Sequence, residues 1–172
     1  MISLPEIVGL RRHTPTHCST FVMTEALPAE RSTDKLSHLT NQKFDQFDLR
    51  PELLEGLAKA GFDYCTEIQA EALPLVLAGI DVAGQAHTGT GKTAAFLLAI
   101  FQRLLTNPPV DLQVKGAVRA VVLAPTRELA IQIHRDAQTL GEFTGLRLGL
   151  VYGGTGYQQQ QTDLVNGVDV LI

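Results

Sequence analysis

Residues 84–96, GQAHTGTGKTAAF, put a glycine-rich turn between a short apolar stretch, DVAGQA, and a helix-forming run, KTAAFLLAIFQRLL. That order narrows the fold sharply. The run is apolar nearly all round, so it belongs inside a core. The turn then leaves a strand with its amides gathered at the positive N-terminal end of a buried helix. Ala86-His87-Thr88-Gly89-Thr90-Gly91-Lys92-Thr93 meets the phosphate-loop pattern G-x-x-x-x-G-K-[ST] at every position but the first, where alanine stands. Gly89 and Gly91 permit the backbone angles and close approach that let successive N–H groups converge on an anion. Lys92 reaches the β/γ-phosphates and the Thr93 hydroxyl ligates Mg²⁺ in such loops.

Two other readings compete for the turn. A glycine turn capped by threonine explains the glycines, but not a lysine at the mouth of an apolar helix, where its charge opposes the dipole. The dinucleotide fingerprint GxGxxG/A is met by Gly89, Gly91 and Ala94, yet it needs an acid at the end of the next strand. The nearest candidate, Asp111, precedes that strand. The turn is therefore read as a cradle for a nucleoside triphosphate.

The chain around it alternates. Apolar spacing predicts helices over 49–62 and 68–79, the second containing Pro74, and each ends at a glycine. Strands are expected over 81–86, 119–125 (RAVVLAP), 146–154 (LRLGLVYGG) and 168–172 (VDVLI). Helices are expected over 92–105, 126–145 and 157–167 between them. This order implies an α/β domain with a parallel sheet. Because it stops inside an apolar strand without a covering helix, the domain is expected to be incomplete at the C-terminus.

Residues 1–43 carry no sustained period and are expected to form a mobile arm ahead of a domain at 44–172. The acid-free stretch 7–24 also fits an arginine-containing targeting peptide. An internal start at Met23 would instead make 1–22 an upstream artefact. His13, His17 and Cys18 are too few for a metal site. The cysteines Cys18 and Cys65 form no disulfide framework and suit a reducing, cytoplasmic setting, and no apolar run is long enough to span a membrane. Net charge is −4, so bulk charge does not mark a nucleic-acid binder; local amides at helix N-termini would have to do that work.

Taken together, Ala86 in the phosphate loop, GFDYCTEIQ before it and APTRELAIQ after it resemble the DEAD-box RNA helicases, over residues 44–172. Phe44, Gly61-Phe62, Thr66 and Ile68-Gln69 match the family's Q motif. Residues 125–130, PTRELA, match its motif Ia, and Gly153-Gly154 its glycine doublet. Within the family, YGGTGYQQQ and the run before it look closest to the bacterial RhlB type. The resemblance implies a RecA-like fold and ATP-dependent RNA unwinding. It also implies RNA-degradation machinery as a partner of a full-length protein.

In those roles Phe62 offers the adenine a flat face, Gln69 reads its edge and Thr66 braces the loop. Each has a plainer alternative: Phe62 as a helix-end core anchor, Gln69 as a helix N-terminal cap. Pro125, Thr126 and Arg127, with Gly153 and Gly154, would meet the RNA backbone without reading bases; Arg127 alone also fits a solvated helix-end arginine. The family's Asp-Glu-Ala-Asp and Ser-Ala-Thr motifs are absent from these 172 residues, and Cys65 and Glu67 replace the prolines flanking the Q-motif threonine. The chain by itself is thus expected to bind without appreciable turnover, either as part of a helicase or as an inactive nucleotide- and RNA-binding module.

Overall fold

The computed structural model describes residues 8–10, 21–25, 39–108, 117–154 and 156–172. His13, His17, Cys18 and Asp111 lie outside them. The chain divides into two compact units, one of Met1–Leu49 and Phe62–Ala99, the other of Arg50–Gly61 and Ile100–Ile172.

The first unit holds β1 (Val8–Leu10), β2 (Phe21–Glu25), β3 (Leu39–Lys43), β4 (Tyr64–Thr66), α2 (Glu67–Leu77) and β5 (Asp81–Ala86), with α1 falling in the other unit. β5 is the central strand of its sheet, antiparallel to β1 and parallel to β2. The parallel ladder pairs Phe21 with Val82 and continues to Glu25 with Ala86, the residue that opens the phosphate loop. Three strands thus fall within residues 1–43, where the side chains show no period. Backbone amides supply this pairing, and they leave no pattern in composition. β3 and β4 form a separate antiparallel pair. α2 runs through Pro74 for three further residues before Gly79 turns away at φ +79°. Ile68, Ala72 and Leu73 on α2 are buried, as are Ala94–Leu98 at the start of α3 (Lys92–Thr106).

The second unit contains α1 (Pro51–Lys59), the rest of α3, β6 (Ala120–Val121), α4 (Arg127–Leu140), β7 (Leu148–Gly149), α5 (Tyr157–Asn166) and β8 (Val170–Leu171). β8 lies between β6 and β7, all parallel. α1 and α4 approach so closely at Gly56 that a Cβ there would stand 2.2 Å from the Leu140 carbonyl oxygen. Asp169 fastens the start of this sheet. Its carboxylate accepts the Arg147 N–H at 2.9 Å and Nε at 3.2 Å, and pairs with Arg119 at 3.8 Å.

The expected helices and strands all occur, but β6, β7 and β8 are each two residues long where stretches of seven, nine and five residues were expected. β6 pairs with β8 alone among the described residues, and past it Leu123 stands 90% exposed.

Candidate nucleotide and nucleic-acid sites

The phosphate loop begins where β5 ends and closes where α3 begins. Gly89 and Gly91 both take φ +85°, the left-handed region expected of them. Their surroundings differ. A Cβ on Gly89 would meet nothing within 4 Å, whereas one on Gly91 would stand 2.3 Å from Gln69 Nε2. The loop is folded on itself: Lys92 Nζ donates to the carbonyls of Ala86 and His87, the latter at 2.7 Å. Thr90 Oγ1 donates to the same His87 carbonyl at 2.8 Å. His87 therefore contributes its backbone while its side chain stays exposed, as does that of Thr88. Thr93 sits half-buried in the first turn of α3. Lys92 thus rests on neutral carbonyl oxygens that a phosphate can replace with stronger bonds to charged oxygens.

The Q-motif residues meet this loop from α2. Thr66 is the helix N-cap, and Gln69 Oε1 accepts the Thr66 N–H at 2.9 Å, one arm of a capping box. Thr66 Oγ1 faces the helix amides without a well-formed hydrogen bond. Gln69 Nε2 donates to the Gly91 carbonyl at 3.0 Å, an oxygen that also accepts the Ala95 N–H as α3 starts. Gln69 is 0% exposed. The capping role and a tie to the phosphate loop are therefore both realised, and no surface of Gln69 faces a ligand in this arrangement. Phe62 is half-buried and meets the buried Phe44 edge-on, ring centroids 6.4 Å apart. Gly61, at φ +75°, ends α1, and Ile68 is a core residue of α2. Cys65 is fully buried beside Thr66, and loss of hydration pushes its thiol up to about 11.

In the second unit, Val122–Arg127, Ala130, Val151–Gly153 and Ile172 line an open cleft of about 260 Å³ past the carboxyl ends of the strands. Thr126 caps α4, its Oγ1 accepting the Leu129 N–H at 3.2 Å. Arg127 follows, exposed, with Nη1 making a long 3.4 Å contact to the Gly153 carbonyl. Gly154 has φ +86°, and a Cβ on it would stand 2.9 Å from that guanidinium. Pro125, Thr126, Arg127, Gly153 and Gly154 are thus brought together at a helix N-terminus and a backbone crook, an arrangement suited to an anionic chain. One contributor carried no signal beyond a run of glutamines: Gln160, whose amide accepts from Tyr152 N–H at 3.0 Å and donates to Tyr152 O at 3.2 Å. On α4, burial lowers the His134 pKa and raises that of Asp136.

Comparison with known proteins follows the same lines. Residues 66–172 match the family model described as DEAD/DEAH box helicase. The chain is 58% identical over 136 residues to the ATP-dependent RNA helicases RhlB of Salmonella arizonae and Salmonella newport, across 79% of this chain. It spans 32% of the length of those relatives. A DEAD box protein from the hyperthermophile Methanococcus jannaschii has a similar structure, with TM-score 0.62 and 29% identity over 76% of this chain and 34% of that one.

Proposed function

Because the chain belongs to the DEAD/DEAH box helicase family, we propose that it carries the ATP-holding loop and part of the RNA-holding surface of an ATP-dependent RNA helicase. The observation that carries this is the folded loop, with Gly89 and Gly91 in the left-handed region and Lys92 held across its mouth by two carbonyls. A triphosphate entering the loop draws Lys92 from those carbonyls onto its own oxygens, while the loop amides and the N-terminus of α3 face the remaining charge. Mg²⁺, held by the Thr93 hydroxyl and the phosphates, would neutralise charge on the transferring group. Phe62, Thr66 and Gln69 form the adenine side of the site. Gln69 must loosen one of its two internal bonds to reach the base, so base recognition and loop geometry are coupled.

Pro125, Thr126, Arg127, Gly153 and Gly154 hold RNA through its sugar-phosphate backbone, without base preference. The RhlB-type resemblance supports, as part of this reading, a cytoplasmic setting and, for a full-length protein only, RNA-degradation machinery as a partner. No described helix is long and apolar enough to cross a membrane.

The 172 residues contain no Asp-Glu-Ala-Asp, which favours a second reading for this chain taken alone: it binds ATP and RNA without turnover. Titration with a fluorescent ATP analogue tests the first part, and Lys92→Ala is expected to weaken binding at least about tenfold. Equal affinity for both would remove the nucleotide assignment. Phosphate release on adding RNA is expected to stay at the level of the Lys92→Ala control, and release above it would refute the reading without turnover.

A further inference from the structure

We propose that Gln160 is a positioning residue for the RNA-backbone cleft, acting through Tyr152; this rests on the RNA reading of that cleft. The run YQQQQ opens α5, and Gln158 and Gln161 are exposed. Gln160 turns inward. Its amide oxygen accepts the Tyr152 N–H at 3.0 Å and its amide nitrogen donates to the Tyr152 carbonyl at 3.2 Å. One planar amide thus engages both backbone groups of a single residue, as a neighbouring strand does in a hydrogen-bonded antiparallel pair. The side chain stands in for a strand where, among the described residues, the sheet has none to offer. The last backbone bond of the sheet along this segment, among the described residues, runs from Val151 N–H to Ile172 O at 2.8 Å. Gln160 extends the anchorage one residue further.

That residue leads directly into the site. The carbonyl of Gly153 receives the Arg127 guanidinium, and Gly154 turns at φ +86° with the same guanidinium against it. Neither glycine has a side chain with which to fix itself, and glycine has the greatest conformational freedom to lose. Where Gly153-Gly154 and Arg127 stand therefore depends on how firmly Tyr152 is held. An uncharged side chain that touches no phosphate would then set RNA affinity by ordering the groups that do.

Two variants of the whole chain separate this from general packing. Gln160→Met keeps the length and loses both bonds; Gln160→Glu keeps the acceptor and sets a carboxylate oxygen against the Tyr152 carbonyl. Binding of a fluorescein-labelled ten-nucleotide oligouridine is expected to weaken about five- to tenfold in both variants, the size of one or two lost hydrogen bonds. The backbone amide resonances of Tyr152, Gly153 and Gly154 are expected to shift and exchange faster, while those of 86–93 and the affinity for a fluorescent ATP analogue stay as in the parent. RNA affinity within twofold of the parent, or amide signals of 152–154 that do not move, overturns the proposal. A parent chain that fails to bind the oligonucleotide overturns the RNA reading itself and the positioning role with it, a result distinguishable because it appears before any substitution is made.

Discussion

Gln69 Nε2 donates to the carbonyl of Gly91 at 3.0 Å, so the first turn of α2 is tied to the residue that closes the phosphate loop. The same amide accepts the Thr66 N–H. A side chain suited to reading adenine is therefore also a strut between two helix N-termini.

Removing that strut takes the side-chain acceptor from the part-buried Thr66 N–H and leaves the Gly91 carbonyl with the Ala95 N–H alone. Gln69→Ala is expected to destabilise the chain by about 2–4 kcal/mol, combining lost hydrogen bonds with a small cavity. Gln69→Glu retains the acceptor for Thr66 but opposes the Gly91 carbonyl, so it should weaken ATP binding more than it lowers stability. Urea denaturation beside nucleotide titration checks both. A stable Gln69→Ala chain would show the strut to be dispensable.

Gly89 and Gly91 share φ +85° but not their surroundings. Gly89→Ala meets open space and is expected to cost only the left-handed strain, about 1–2 kcal/mol. Gly91→Ala adds a Cβ 2.3 Å from Gln69 Nε2, so it should displace Gln69 and lose considerably more stability and ATP affinity. Equal losses in the two variants would mean that the Gln69 contact carries no weight.

Cys65 contributes a pH dependence of definite sign. Burial raises its thiol from 9.0 to about 11, so the unfolded chain releases this proton first as pH rises. Stability from the group is complete below about pH 9 and declines as pH climbs toward 11. Denaturation midpoints should fall over that interval more steeply for the parent than for Cys65→Ala. Slow alkylation of Cys65 at pH 8 in the folded chain, and fast alkylation in urea, would accompany it.

The ladder between Phe21–Glu25 and Val82–Ala86 gives amide hydrogen exchange a direct target. Amides in 21–25 that point toward β5 should exchange at least about tenfold more slowly than in an unstructured peptide. Exchange at free-peptide rates throughout 21–25 would show that β5 lacks this partner.

Much of the geometry of the glycine-rich loop was legible because its contacts are local. Lys92 bonds carbonyls five and six residues back, and a glycine at a left-handed position announces itself in the sequence. The helices were equally open to reading, since Leu53 and Leu57 of α1, or Ala130, Ile133 and Ala137 of α4, repeat at the helical period on buried faces. Gln69 stood out in the sequence through the Q-motif resemblance and its capping position, but its partner Gly91 is 22 positions away. Neither residue type announces that bond.

What the amino-acid order determined alone is therefore short-range: a glycine-rich loop between strand and helix, helix faces, and a threonine-capped helix after APT. Long-range placement was left to the tertiary structure. It set a strand from residues 21–25 beside β5, turned Gln160 out of a glutamine run onto Tyr152, and brought Arg127 to Gly153 across 26 residues of chain. Each of those contacts ends on a main-chain group that every residue possesses, so side-chain pattern cannot predict where it will be made.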